Sequence, residues 1–103
     1  MTKYIRKNAM KRAEMEYELA MENGLGKEFS NIEINLMDLA IEDVANGDLF
    51  GLGINWAKIY KYCDYLERAF FKIAKREKLN MDCDEYTIFR NQPLHNTVVT
   101  LTK

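Results

Sequence analysis

Three stretches of the chain carry residues able to do chemistry. His95 is the single histidine and lies two residues after Pro93. To activate a nucleophile it would need Cys63, Cys83 or a hydroxyl within hydrogen-bond reach. No local nucleophile motif accompanies either cysteine, so His95 reads as a solvated loop residue. Asp82-Cys83-Asp84-Glu85 puts three carboxylates and a thiol in four residues, a composition that suits a hard cation. It lacks a glycine-bearing ligand loop and a second acidic cluster to complete six oxygens, so it is expected to turn the chain between a helix and a strand. Cys63, Cys83 and His95 match no common zinc spacing. Gly47-Asp48-Leu49-Phe50-Gly51-Leu52-Gly53 has the glycines of a phosphate cradle. It follows a helix, lacks a Gly-Lys-Ser/Thr ending and contains Asp48, so it reads as a helix connection with Leu49 and Phe50 as packing plugs. The expectation is a non-enzymatic chain with no catalytic residue, no metal and no cofactor.

Charge is the patterned property. The net charge is −1, yet residues 1–12 carry +5, residues 13–53 carry −9, residues 54–79 carry +4 and residues 80–103 carry −1. Glu14, Glu18 and Glu22 stack at i, i+4 on the first helix, where they repel one another. Asp38 and Glu42 share a face of the second helix with Asp43 adjoining. Two such stripes form a negative surface suited to a basic pocket on another protein. With Phe50, Tyr62 and Tyr65 as exposed aromatics, they are the expected partner-binding set. The first expectation is therefore a small protein-interaction module. It would be an inhibitor or adaptor, of the kind common among phage and mobile-element products, that binds a larger intracellular, nucleic-acid-handling protein.

The alternative belongs to another class. Lys3, Arg6, Lys7, Lys11 and Arg12 at the start, with Lys58, Lys61, Lys72, Lys75 and Arg76 on the third helix, supply the positive strip that phosphates require. Tyr62, Tyr65 or Phe71 would stack on unpaired bases. A pI near 5.8 and the acidic middle block weigh against it unless the acids turn away. A third account has the opposite blocks neutralising each other within the fold.

The elements that must position these residues follow from periodicity. With 48% apolar residues, one proline and five glycines the chain is expected to fold as one domain over residues 1–103. The uncharged, apolar-tending run 49–57 is far short of the roughly 20 residues of a membrane span. Glu14, Glu16 and Glu18 break the apolar region that a signal peptide would need. A cytoplasmic location is expected, with both cysteines as thiols. Apolar and small residues from Ala9 to Met21 recur at helical spacing and predict a helix over 2–22, stopped by Asn23-Gly24. Ser30 and Glu33 form the pattern of a capping box, with Phe29 and Ile34 as a staple, and predict a helix over 31–45. Alternation of Ile32, Ile34 and Leu36 supports a rival short strand. Asn55 is a good cap for a third helix over 55–79, with Trp56, Ile59, Cys63, Leu66, Phe70 and Ile73 as its stripe. Its wide aromatic arc also fits a homodimer face. Residues 86–102 read as a β-hairpin with a six-residue loop. The expected fold is mainly α and marginally α+β: a compact three-helix domain, its helices packed antiparallel, with a small C-terminal hairpin.

Overall fold

The computed structural model describes residues 2–45, 55–87 and 95–103, with side chains over 6–45, 55–84 and 97–103. The elements in chain order are α1 (Thr2–Glu22), β1 (Asn31–Asn35), α2 (Leu36–Ala45), α3 (Trp56–Glu77), β2 (Asn80–Thr87) and β3 (His95–Thr102). The fold is broadly helical, as expected, with more sheet than a hairpin.

In α1, Ala9, Ala13, Tyr17 and Ala20 form the buried stripe. The helix ends in a Schellman motif. Leu25 N donates to Ala20 O at 3.0 Å and Gly24 N to Met21 O at 3.2 Å, with Gly24 at φ +110°, where an L side chain is strained. α3 opens as expected, with Asn55 Oδ1 accepting from Lys58 N at 3.1 Å. It closes on Lys78, a non-glycine residue at φ 58°, and the following Leu79 N donates to Ala74 O at 2.8 Å.

The helix expected over 31–45 is corrected: 31–35 is a strand and α2 begins at Leu36. Asn35, not Ser30, caps it, its Oδ1 accepting from Asp38 N at 3.1 Å. The rival alternation wins for a non-local reason. Ile32 and Ile34 pair with Leu101 and Val99 of β3, so one strand closes a ladder and contributes to the core in the same step. The hairpin is also longer than expected. β2 begins at Asn80 and pairs with β3 from Asn80↔Thr102 to Thr87↔His95, so Asp82-Cys83-Asp84-Glu85 lies within a strand and turns nothing. All pairing is antiparallel in the order β1-β3-β2.

Alternation along the strands fixes the two sheet faces. Ile32, Ile34, Met81, Cys83, Val99 and Leu101 share the face that carries the buried Ile34, Val99 and Leu101. Glu33, Asp82, Asp84 and Thr100 share the other. One core takes side chains from every element, with Phe70, Leu36, Ile59, Leu66, Ile73, Leu101 and Val99 its largest fully buried members. α1 and α3 run in the same direction, since Arg6 meets Tyr65 while Glu14 meets Arg76. The antiparallel expectation fails here because β1 and α2 carry the chain back between them.

Candidate functional site

The parallel alignment of α1 and α3 decides where the charges go. Arg12, in the middle of α1, gathers acids from two helices. Its Nη1 donates to Asp43 at 2.7 Å, its Nη2 to Glu42 at 3.1 Å and its Nε to Glu16 at 3.1 Å. Tyr62 OH donates to the second oxygen of Asp43 at 2.5 Å. Burial works to lower the Arg12 pKa, but Asp43, Glu42 and Glu16 together outweigh it and the guanidinium is held more firmly protonated. Further along, Arg76 grips Glu14 with both terminal nitrogens and Glu77 with Nε. The bond from Arg76 holds the Glu14 carboxyl below its ordinary range.

These pairs redistribute the expected partner-binding set. Glu14, Glu42 and Asp43 are engaged within the fold. Tyr62 and Tyr65 are 3% and 7% exposed, so the expected exposed aromatic surface is not made by them. α1, α2 and the sheet pack against α3, burying Tyr62 and Tyr65 of its wide arc but leaving Phe71 exposed. Glu18, Glu22 and Asp38 remain exposed, and Phe50 lies outside the described residues. A hollow of ≈ 330 Å³ lined by Asn8, Lys11, Arg12, Met15, Glu42, Asp43 and Tyr62 balances two cations against two carboxylates and has no strong preference for either sign.

The basic set divides as well. Arg12 and Arg76 act as internal clamps, and the Lys3 side chain lies outside the described ones. Lys11, Lys61 and Lys75 are exposed and Lys58 is half-buried, and none of the four lines the groove in which the others meet. Arg6, Lys7 and Lys72 do come together, in a groove of ≈ 590 Å³ between α1 and α3 that is also lined by Met10, Tyr65, Arg68 and Ala69. The Arg6 and Arg68 guanidiniums lie 5.4 and 5.9 Å from the centroid of the same Tyr65 ring, within cation–π range. Arg68 also meets Asp64 at 3.1 Å, a pair with both partners largely exposed and hence weak. Among the described residues no carboxylate pairs with Arg6, Lys7 or Lys72. Four cations thus line a groove whose floor is an aromatic ring, a thioether and a methyl group.

Arg68 is the residue that sequence reasoning missed. The signal was present: Lys58, Lys61, Tyr65, Arg68, Lys72 and Lys75 recur at intervals of three and four, a single helix face.

The remaining chemical groups are placed as follows. No disulfide joins buried Cys63 and exposed Cys83. Burial pushes the Cys63 thiol up to about 12, so it is protonated at neutral pH and poorly suited to nucleophilic attack. Strand alternation sends Asp82 and Asp84 to the face opposite Cys83. Among the described residues no three His, Cys, Asp or Glu side chains gather where a metal would bind. The His95 side chain and residues 47–53 lie outside those described. Among the described residues no helix is long and apolar enough to cross a membrane. No protein-family model matches the chain, and no curated protein and no solved structure matches it as a relative.

Proposed function

We propose that this protein is a non-enzymatic nucleic-acid-binding module whose α1–α3 groove takes the phosphate backbone. The observation that carries this reading is the convergence of Arg6, Lys7, Arg68 and Lys72 on one groove, while the other arginines of α1 and α3, Arg12 and Arg76, are tied to acids. Cations held close together repel, and phosphate contact relieves that repulsion while releasing counterions. A near-neutral chain can do this because its charge is segregated. Glu33, Asp82 and Asp84 sit on the sheet face turned from the helices, and Glu14, Glu16, Glu42 and Asp43 are neutralised by Arg12 and Arg76.

The test is fluorescence anisotropy of a labelled single-stranded oligonucleotide across a salt series. The wild-type chain is expected to bind at low salt and to weaken linearly in log–log form. Replacing Arg6 and Lys72 together by alanine is expected to lower the slope by about 1.4, near 0.7 for each phosphate contact on a single strand. No binding at low salt, or a slope unchanged in the double variant, refutes the reading.

A second reading, a protein-interaction adaptor, keeps one specific support. Met15 and Leu19 are 55% and 50% exposed on α1, with Glu18 and Glu22 on the same face at helical spacing. Exposed apolar residues flanked by acids suit a groove lined by apolar and basic side chains on a partner. A photo-crosslinker at Leu19 is expected to capture one defined protein in cells, with capture lost in a Glu18→Lys, Glu22→Lys variant. Capture unaffected by those reversals excludes this face.

A further inference from the structure

Beside the cationic groove lies a second hollow of ≈ 520 Å³ between α3 and β2, lined by Glu67, Arg68, Phe71, Lys72, Met81 and Cys83. Its size falls in the range of about 300–1,000 Å³ common for small-ligand clefts. Arg68 and Lys72 line both hollows, so a chain tracking along the groove has its phosphates at the rim of this one. The interior differs in character. Phe71 is 61% exposed, a large aromatic left in water on the central helix. Met81 forms an apolar wall, and Glu67 Oε1 accepts a hydrogen bond from Cys83 Sγ at 3.1 Å.

Resting on the reading of the groove as a backbone track, we propose that this hollow receives one unpaired nucleobase bearing an exocyclic amino group, so that the nucleic acid bound is single-stranded. An aromatic face beside an apolar wall of methionine offers stacking that every base satisfies, at a position where the strand is already held by Arg68 and Lys72. The Glu67 carboxylate repels a phosphate and so assigns the interior to the base. Its second oxygen is an acceptor for an amino N–H such as cytosine N4. Thymine and uracil place a carbonyl on either side of their imino N–H, which sets oxygen against the carboxylate. A base within a duplex is stacked on both faces and cannot enter without being extruded.

The experiment measures anisotropy of the full chain at low salt with four labelled probes of equal length: oligo-dC, oligo-dT, an abasic strand and a duplex. Oligo-dC is expected to bind about tenfold more tightly than the abasic strand, the lower part of the range for stacking one base, and more tightly than oligo-dT and the duplex. Phe71→Ala is expected to bring oligo-dC down to the abasic level with its salt slope unchanged. Because Phe71 is exposed, this variant is expected to melt with the parent. Glu67→Gln is expected to remove the preference for dC over dT. If dC and abasic strands bind alike, the base site is overturned while the groove reading stands. If no probe binds, the groove reading itself has failed. A dimer in sedimentation that Phe71→Ala abolishes assigns this hollow to a second copy of the chain and overturns the base site.

Discussion

Replacing Asp43 by alanine removes the acceptor that joins three helices. Arg12 of α1 reaches Asp43 of α2 at 2.7 Å and Tyr62 of α3 reaches its other oxygen at 2.5 Å. The Arg12 and Asp43 side chains are each 18% exposed, so solvent replaces these bonds poorly. A hydrogen bond to a charged group contributes roughly 1.5–3 kcal/mol. Arg12 keeps Glu42 and Glu16 after the change, which offsets part of its loss, whereas the Tyr62 hydroxyl loses its carboxylate. The expected cost is therefore about 2–4 kcal/mol. At roughly 2.1 cal/mol/K of unfolding entropy per residue, that lowers Tm by about 10–20 °C. Urea titration and thermal melting followed by circular dichroism measure it. Tyr62→Phe deletes the bond to Asp43 while leaving the carboxylate to Arg12, and is expected to cost about 1–2 kcal/mol. The double variant should then cost less than the two singles together, by about 1–2 kcal/mol. A loss below about 0.5 kcal/mol for Asp43→Ala, or strict additivity with Tyr62→Phe, refutes the network as a structural tie.

Three further outcomes follow from the same geometry. Lys78→Gly relieves a left-handed L residue, worth about 1–2 kcal/mol, against the greater freedom of glycine in the unfolded chain, so a net gain of roughly 0.5–1 kcal/mol in urea unfolding is expected. The Glu14 carboxyl is held below its ordinary value by Arg76, so its contribution is fully present above the unfolded carboxylate pKa and is lost as pH falls through the lowered folded value. Urea midpoints of wild type and Glu14→Gln should therefore differ at pH 7 and converge as the solution is acidified; a constant gap contradicts the pairing. With Cys63 buried and its thiol pushed up to about 12, a thiol reagent at pH 8 should modify Cys83 quickly and Cys63 only after denaturation, which mass spectrometry of the labelled peptides reads directly.

How far the sequence discloses this molecule depends on the range of the interactions. The caps at Asn55 and Asn23-Gly24 are local and legible, because a side-chain acceptor or a left-handed glycine acts within one turn. The cap at Lys78 is not, since nothing in a lysine advertises a left-handed backbone. The β1 segment carries two competing local signals, a capping box at Ser30 and Glu33 for a helix and the alternation of Ile32 and Ile34 for a strand. Only pairing with Val99 and Leu101 separates them. The site shows the same division. The cationic row of α3 can be read from its spacing, but the choice of Arg6 for the groove and Arg12 for Asp43 depends on how α1 lies along α3 and against α2. Arg12 and Asp43 are 31 positions apart and Arg6 and Tyr65 further still, so no short window of sequence contains either contact.

The strand order also has a consequence in time. β3 occupies the middle of the sheet although it is made last of the three strands, and Ile34 meets Val99 only sixty-five residues later. During synthesis, residues 31–35 must wait for a neighbour while the Ser30–Glu33 pattern offers a helix that competes with the Asn35 cap and the strand alternation. The newborn chain thus has a helical alternative for this segment, and arrival of β3 is the event that converts it. Closure of the sheet, rather than formation of the long helices, is then expected to set the pace of folding, as it must await the most distant strand pairing among the described residues.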